Sequence, residues 1–285
     1  MKISAAVLFL ICIPMFVSCS KFRSAGESRV PAPADQPDPV VPADSGTQSL
    51  SPELQKLQRV LAALPERTQQ GIRNGDPGEF LADLHAVLAA DTYDLLRLVD
   101  KKHFLAADYA PADIVPLVKN PHYAISRGDL ALRKPAEAAL VLMADAAKAD
   151  GITLLASSTY RSYAYQEIVY ARNVREMGKE AADRESAAPG TSQHQLGAVV
   201  DFGSISDEFA ETAAGRWLDA NAARFGWSLS FPQGYEDVTG YRWECWHFRY
   251  VGVPAVEFQR KWFSNIQQFM LEFIDAWRAD SDSIG

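Results

Sequence analysis

The apolar positions of this chain fall into blocks of different period. Ile3 to Val17 is an unbroken apolar run without charge. From Leu54, apolar residues recur at helical spacing through Leu57, Val60, Leu61 and Leu64, which predicts an amphipathic helix. Ser51 is suited to cap it, with Pro52 in the first turn and Pro65 stopping or kinking it. A second helix is predicted through Phe80, Leu81, Leu84, Val87 and Leu88. A long Ala-rich helix follows from Lys134 to Lys148, ended by Gly151. Ile152 to Ser158 reads as a strand and Tyr165 to Met177 as a helix. Ala198 to Phe202 and Trp246 to Val251 are short apolar runs that read as strands. Val256 to Trp277 reads as one helix, with Phe258, Trp262, Ile266, Phe269, Met270, Phe273 and Trp277 near one face. That stripe packs against the body of the domain, or it meets a partner or a membrane surface.

Between the first apolar run and the first helix the pattern disappears. Pro31, Pro33, Pro37, Pro39 and Pro42 alternate with small and polar residues, so residues 20–50 read as an extended, solvated tether. Lys2, the apolar run and Ser18-Cys19 read as a secretory signal. Phe16-Val17-Ser18-Cys19 resembles a bacterial lipoprotein box, which would make Cys19 the lipidated residue and anchor a soluble domain to a membrane surface. Plain secretion is the other reading. Cys12 would leave with the signal, and Cys245 would then be the one free thiol, with no intramolecular disulfide possible.

Composition excludes little, but usefully. The chain has 285 residues and a net charge of −8, which argues against a nucleic-acid partner, because phosphate binding needs clustered Lys and Arg. No apolar run after the leader is long enough to span a membrane.

The candidate chemistry lies in two segments, Ser192 to Asp201 and Glu244 to Tyr250. A catalytic zinc takes three ligands from His, Asp, Glu or Cys and keeps a fourth position open. His194, Asp201 and His247 could supply those ligands, and Glu244 could serve as the general base. Seven residues of straight strand would separate His194 from Asp201 by roughly 23 Å, so the segment must bend, and Gly197 is the place for it. Glu244 and His247 would face opposite sides of a regular strand, so Glu244 should lie in the loop before it. Each spacing alone is weak evidence, since a histidine beside apolar residues is more often structural. His85, His103 and His122 have no comparable surroundings and read as non-catalytic.

The ordered combination is far more specific. Ser158-Thr159-Tyr160-Arg161-Ser162-Tyr163-Ala164-Tyr165-Gln166 is similar to an "S-G-Y-R-S-Y-x-x-Q" motif. Ser192 to Asp201 resembles "S-x-H-Q-x-G-x-A-x-D", and Glu244 to Gly252 resembles "E-P-W-H-x-R-Y-V-G". Together with an opening segment from Leu98 to Pro111, they resemble the VanY-type D-alanyl-D-alanine carboxypeptidases, peptidase family M15B, which includes L,D-carboxypeptidases of the same fold. The likeness runs from about Leu95 to Val253. It implies that His194, Asp201 and His247 hold one Zn2+, that Glu244 is the catalytic base, and that Arg161 binds and polarises the substrate's terminal region. It further implies that Gln166 and Ser192 bind substrate. Arg161 suits a free carboxylate, because guanidinium offers a rigid donor fork. Departures are Thr159 for Gly, Val199 for Ala and Cys245 for Pro, the last relaxing the backbone beside the base. Leu229-Ser230-Phe231-Pro232 stands where the family often has an Arg-Tyr pair.

The expected fold is α+β, a small antiparallel sheet bearing the zinc site and flanked by helices. The expected layout is a signal peptide over 1–18, the lipidated Cys19 and Pro-rich tether over 19–50, and a helical prefix over 51–91. A zinc carboxypeptidase domain over 92–254 and a C-terminal amphipathic helix and tail over 255–285 complete it. The expected activity is hydrolysis of the terminal D-Ala-D-Ala bond of a peptidoglycan stem peptide by an exported, membrane-anchored monomer facing the periplasm or cell wall. One alternative is an L,D-carboxypeptidase acting where the preceding residue is a diamino acid. The other is a lipoprotein that binds cell-wall peptide without cleaving it.

Overall fold

A computed structural model of the protein describes residues 50–282. The signal with Cys12, the lipobox with Cys19, and residues 20–49 of the tether lie outside the described residues. The described chain opens with α1 (Pro52–Ala63), α2 (Glu66–Arg73) and α3 (Pro77–Ala90). The Ser51 hydroxyl caps α1 by accepting the Leu54 amide at 3.3 Å, and Pro52 fills the first turn, where no amide is needed. Asp76 caps α3 through the Glu79 amide at 2.7 Å. Helix α2 was not expected: its Glu-Arg-Thr-Gln-Gln-Gly-Ile-Arg sequence offers only one large apolar residue, and Pro65, which stops α1 as expected, also opens α2.

A two-stranded antiparallel ribbon, β1 (Ile114–Pro116) with β3 (Ala131–Arg133), leads into α4 (Lys134–Ala149). Two-residue β2 (Ala124–Ile125) joins a second sheet as its edge. That sheet also holds β4 (Leu155–Ser158), β5 (Val199–Phe202), β6 (Trp227–Leu229) and β7 (His247–Tyr250), in the order β2-β4-β5-β7-β6. All pairings are antiparallel except β2 with β4. Helices α5 (Tyr163–Met177) and α6 (Lys179–Glu185) lie between β4 and β5. Helix α7 (Ala213–Asn221) precedes β6, and the short α8 (Glu236–Thr239) precedes β7. The α+β expectation holds, with one parallel edge pair added.

Strand alternation sorts the sheet into two unlike faces. Ala156, Val200, Phe202, Trp227 and Phe248 point into a core closed by Leu140 and Met143 of α4 and Leu218 of α7. Ser158, Asp201 and His247 lie in cross-strand register with one another on the other face, and Val199, Arg249 and Ser228 form the next row. One face therefore carries the apolar core and the other carries the polar chemistry.

The expected single helix from Val256 to Trp277 is two helices, α9 (Val253–Trp262) and α10 (Gln267–Asp282). Ser264 and Asn265 break it with φ of 52° and 60°, in the left-handed region that Asn tolerates best among non-glycine residues. Gln259 holds the break, its Nε2 donating to the Asn265 carbonyl at 2.9 Å and to its Oδ1 at 3.1 Å. The aromatic stripe packs on the N-terminal helices: the Phe80 ring lies 5.0–5.3 Å from those of Phe273, Trp262 and Phe258. Helices α1–α3 and α9–α10 so share one apolar core. Gly71 permits close approach there, since a Cβ would lie 2.2 Å from the Trp262 carbonyl oxygen. Among the described residues no helix is long and apolar enough to cross a membrane.

Candidate active site

The polar face of the sheet opens into a cleft of about 310 Å³ whose floor holds His194, Asp201, Glu244 and His247. Asp201 on β5 sits opposite His247 on β7 and opposite Ser158 on β4. His194 reaches the same point from a 3₁₀ turn, Gln193–Leu196, which ends at Gly197 with φ 71° and ψ 14°. The bend required by the spacing is thus at Gly197, and a Cβ there would meet Ile114 Cδ1 at 2.5 Å. Glu244 lies off the strand: the His247 amide donates to its carbonyl at 3.1 Å, closing a turn.

One ligand atom from each of His194, Asp201 and His247 lies within 4.8 Å of the others, and all three residues are buried. His194 Nε2 is 3.1 Å from Asp201 Oδ2, and His247 Nδ1 is 3.1 Å from Asp201 Oδ1. His194 Nδ1 lies 2.7 Å from the Thr159 carbonyl, which can only accept, so Nδ1 carries the proton and Nε2 the lone pair. Burial pushes this imidazole down to about 4, against the pull of Asp201, so it is neutral. A neutral nitrogen lone pair facing a carboxylate is repulsive unless a cation lies between them. Burial also works against the Asp201 charge, and a positive neighbour is what holds the carboxyl below its ordinary range: a proton shared with His194 or His247 when the site is metal-free. Two His nitrogens, each with its outer ring nitrogen engaged, and one carboxylate whose buried Oδ1 has no hydrogen-bond partner fit one zinc ion.

Glu244 Oε2 is 3.4 Å from His247 Nδ1. Burial, and then the negative charge of Asp201, raise its pKa well above the ordinary carboxylate value, with Arg242 and Arg161 opposing. Such a carboxyl is suited to take up a proton and to pass one on. Arg161 lines the same cleft. Its Nη1 donates to Gln166 Oε1 at 2.8 Å and its Nη2 to the Ser158 hydroxyl at 3.0 Å. Burial works against the guanidinium charge, and Asp201 favours it.

Gln166 is fully buried, spending its amide on Arg161 and, through Nε2, on the Ala187 carbonyl at 2.6 Å. It orients the arginine and does not itself line the cleft. Ser192 is buried and does line it. Cys245 points away: its thiol lies 3.6 Å from the Ser206 carbonyl and 3.7 Å from that of Asp207. His85, His103 and His122 each pair with a carboxylate outside the cleft, Glu53, Asp100 and Asp145.

Several residues of the site escaped the sequence reading. Val169, Asn173 and Met177 of α5 line the cleft at four-residue intervals, the signature of one helix face. Tyr241, pushed up to about 12 by burial, keeps its hydroxyl protonated in the wall. Gln193 lies 3.3 Å from His247 Nε2. Its only sequence signal was a run of polar residues, Ser192 to Gln195, inside an otherwise apolar motif; all four are buried.

These features agree with what the chain is similar to. A profile of the VanY D-alanyl-D-alanine carboxypeptidase family matches residues 129–253. YodJ of Bacillus subtilis (strain 168), an inferred carboxypeptidase, is 36% identical over 170 residues, covering 58% of this chain and 62% of YodJ. A D-alanyl-D-alanine carboxypeptidase of Enterococcus faecalis is 37% identical over 120 residues, 39% of this chain and 45% of that protein. The chain thus spans less than two thirds of the length of either relative. The solved LD-carboxypeptidase LdcB superposes with a TM-score of 0.57 at 32% identity, over 65% of this chain and 87% of LdcB. VanYB, solved with D-alanine-D-alanine, gives 0.50 at 29% identity, over 63% of this chain and 97% of VanYB. With this match across nearly all of LdcB, the chain belongs to the VanY-type D-alanyl-D-alanine carboxypeptidase family.

Proposed function

We propose that the protein is a zinc carboxypeptidase that hydrolyses the terminal D-alanyl-D-alanine bond of peptidoglycan stem peptides. The observation that carries this reading is the convergence of a buried His-Asp-His group, a buried carboxyl of raised pKa and an arginine in one cleft. His194, Asp201 and His247 would hold one zinc ion, which would supply Lewis acidity and a water of lowered pKa. Glu244, beside the His-Asp-His group, takes the proton of the attacking water and returns it to the leaving amine. Arg161, fixed by Gln166 and Ser158, offers its remaining N–H groups to the substrate's terminal carboxylate or scissile carbonyl. Ser192 contributes to the wall against which the terminal residue rests. VanYB binds D-alanine-D-alanine, which supports this class of substrate.

A second reading rests on LdcB, an LD-carboxypeptidase that recognises peptidoglycan: removal of D-alanine from a tetrapeptide stem. The two reactions share every residue named above and differ at the position preceding the scissile bond. Purified protein incubated with defined pentapeptide and tetrapeptide stems separates them by which one releases D-alanine. Release from neither, with zinc present, rejects both and leaves the peptide-binding reading.

The signal-like segment and Cys19 support a catalytic domain held outside the membrane by a lipid anchor and proline-rich tether, in the periplasm or at the cell wall where stem peptides lie. One chain supplies the whole residue set, which supports a working monomer. Palmitate labelling that is lost in Cys19→Ala supports the anchor; undiminished labelling rejects it.

A further inference from the structure

His247 has two ring nitrogens, and only one can face the centre of the His-Asp-His group. Nδ1 does so, 3.1 Å from Asp201 Oδ1. Nε2 points behind the site to Gln193 Oε1 at 3.3 Å. Gln193 in turn meets the Ser230 hydroxyl at 2.8 Å, and Ser230 meets Gln267 Oε1 at 3.2 Å. Gln267 opens α10, and its Nε2 donates to the Ser228 carbonyl at 3.3 Å. Gln193, Ser230, His247 and Gln267 are all buried.

A proton count leaves two arrangements for this chain. In one, the Gln193 amide turns its NH2 towards His247 Nε2 and towards Ser230, whose proton goes to Gln267. The imidazole then carries its proton on Nδ1, which cannot ligate a metal. In the other, Gln193 Oε1 accepts both the His247 Nε2–H and the Ser230 hydroxyl, and Nδ1 keeps its lone pair for the metal. Gln193 lies with Oε1 towards both groups, and a metal on Nδ1 requires that orientation, because the imidazole proton must then sit on Nε2. Resting on the reading of His194, Asp201 and His247 as a metal site, we propose that Gln193, held by the Ser230 hydroxyl, is a positioning residue that makes His247 ligate through Nδ1. The mechanism has no other use for Gln193 and Ser230, both buried.

Outer-shell partners of metal-bound histidines are worth about 10- to 100-fold in metal affinity. Zinc dissociation constants, measured by competition with a chromogenic chelator, therefore test the assignment without recourse to activity. Gln193→Leu, close in volume but with no acceptor, is expected to weaken zinc binding roughly 10- to 100-fold. Ser230→Ala should weaken it less, and Gln193→Glu, which keeps the acceptor, should bind zinc at least as tightly as wild type. The melting temperature of metal-free Gln193→Leu reports any loss of fold. Long-range 15N–1H correlation spectra of zinc-loaded wild type should place the His247 proton on Nε2, and this decides the matter if the leucine variant does not fold. Zinc affinity in Gln193→Leu within about twofold of wild type, or a His247 proton on Nδ1, would overturn the assignment. Wild type that binds no zinc would instead overturn the metal reading on which it rests.

Discussion

Glu244 and His247 are the two ends of one tight turn, with the His247 amide donating to the Glu244 carbonyl at 3.1 Å. The turn brings Oε2 within 3.4 Å of Nδ1, which two residues three apart on a straight strand could not achieve. Cys245 and Trp246 form the middle of the turn, so the family's usual proline is not needed to make it. Glu244→Gln keeps this geometry and removes the base. Its kcat should fall by at least about 10²- to 10⁴-fold while zinc still binds, as measured by chelator competition. Full activity in this variant would remove Glu244 from the mechanism.

The same variant should gain stability when metal-free. Burial and Asp201 raise the Glu244 pKa, so the folded protein retains a proton that the unfolded chain loses above the ordinary value of 4.5. Stability therefore falls as pH rises from that value towards the folded pKa. Urea midpoints of wild type and Glu244→Gln should diverge across this window, with the variant the more stable at neutral pH. A constant gap between pH 4 and 8 would contradict the raised pKa.

Removal of the metal gives a separate expectation. Chelation should abolish D-alanine release, and zinc should restore it. Because the site forms only on folding, zinc at about 100 times its dissociation constant should stabilise the native state by about 2.7 kcal/mol. Calorimetry with and without zinc checks this, and the gain should vanish in Asp201→Ala.

How far the sequence reached follows the same physics. His194, Asp201, Glu244 and His247 were picked out by the ordered motifs around them, since each spacing alone is weak; the spacing did demand the bend at Gly197 and the turn at Glu244. The helices α1, α3 and α4 were legible from their regular apolar stripes. Helix α2 was not, because its packing against α9 relies on Gly71 and a single Ile72 rather than a stripe. The break at Ser264-Asn265 was hidden because the aromatic spacing on either side stays helical. Gln259 holds it through a local side-chain bond to Asn265 that an apolar pattern does not register. The edge strands β1 to β3 are two or three residues long, too short for any period to register.

Asp100 offers a pH test remote from the metal. Its Oδ1 accepts the amides of Lys102 at 2.7 Å and His103 at 2.9 Å, and its Oδ2 accepts Gln268 Nε2 at 2.8 Å. Burial would raise its pKa, but these hydrogen bonds, with that from His103, hold it below the ordinary value of 3.8. A depressed carboxyl contributes stability above its unfolded pKa and loses it as pH falls through the folded one. Asp100→Asn should cost about 1–3 kcal/mol at pH 7. The gap should close below about pH 4, where wild type also protonates, as read from urea midpoints.

Gly197→Ala tests whether the bend itself sets the metal geometry. At φ 71° an alanine costs about 1 kcal/mol in backbone strain. Its Cβ would also lie 2.5 Å from Ile114 Cδ1 and 3.0 Å from Arg133 Cγ. Arg133 cannot yield freely, since its Nε donates to Asp113 at 2.7 Å and its Nη1 to the Tyr93 carbonyl at 2.6 Å. The backbone at Gly197 must then move. That displaces the 3₁₀ turn carrying His194 while Asp201, fixed by strand pairing on both sides, stays in place. The variant should lose about 1–3 kcal/mol of stability and bind zinc more weakly, because the ligand atoms no longer converge. A loss of stability with unchanged zinc affinity would mean that the turn adjusts and that the bend serves folding alone.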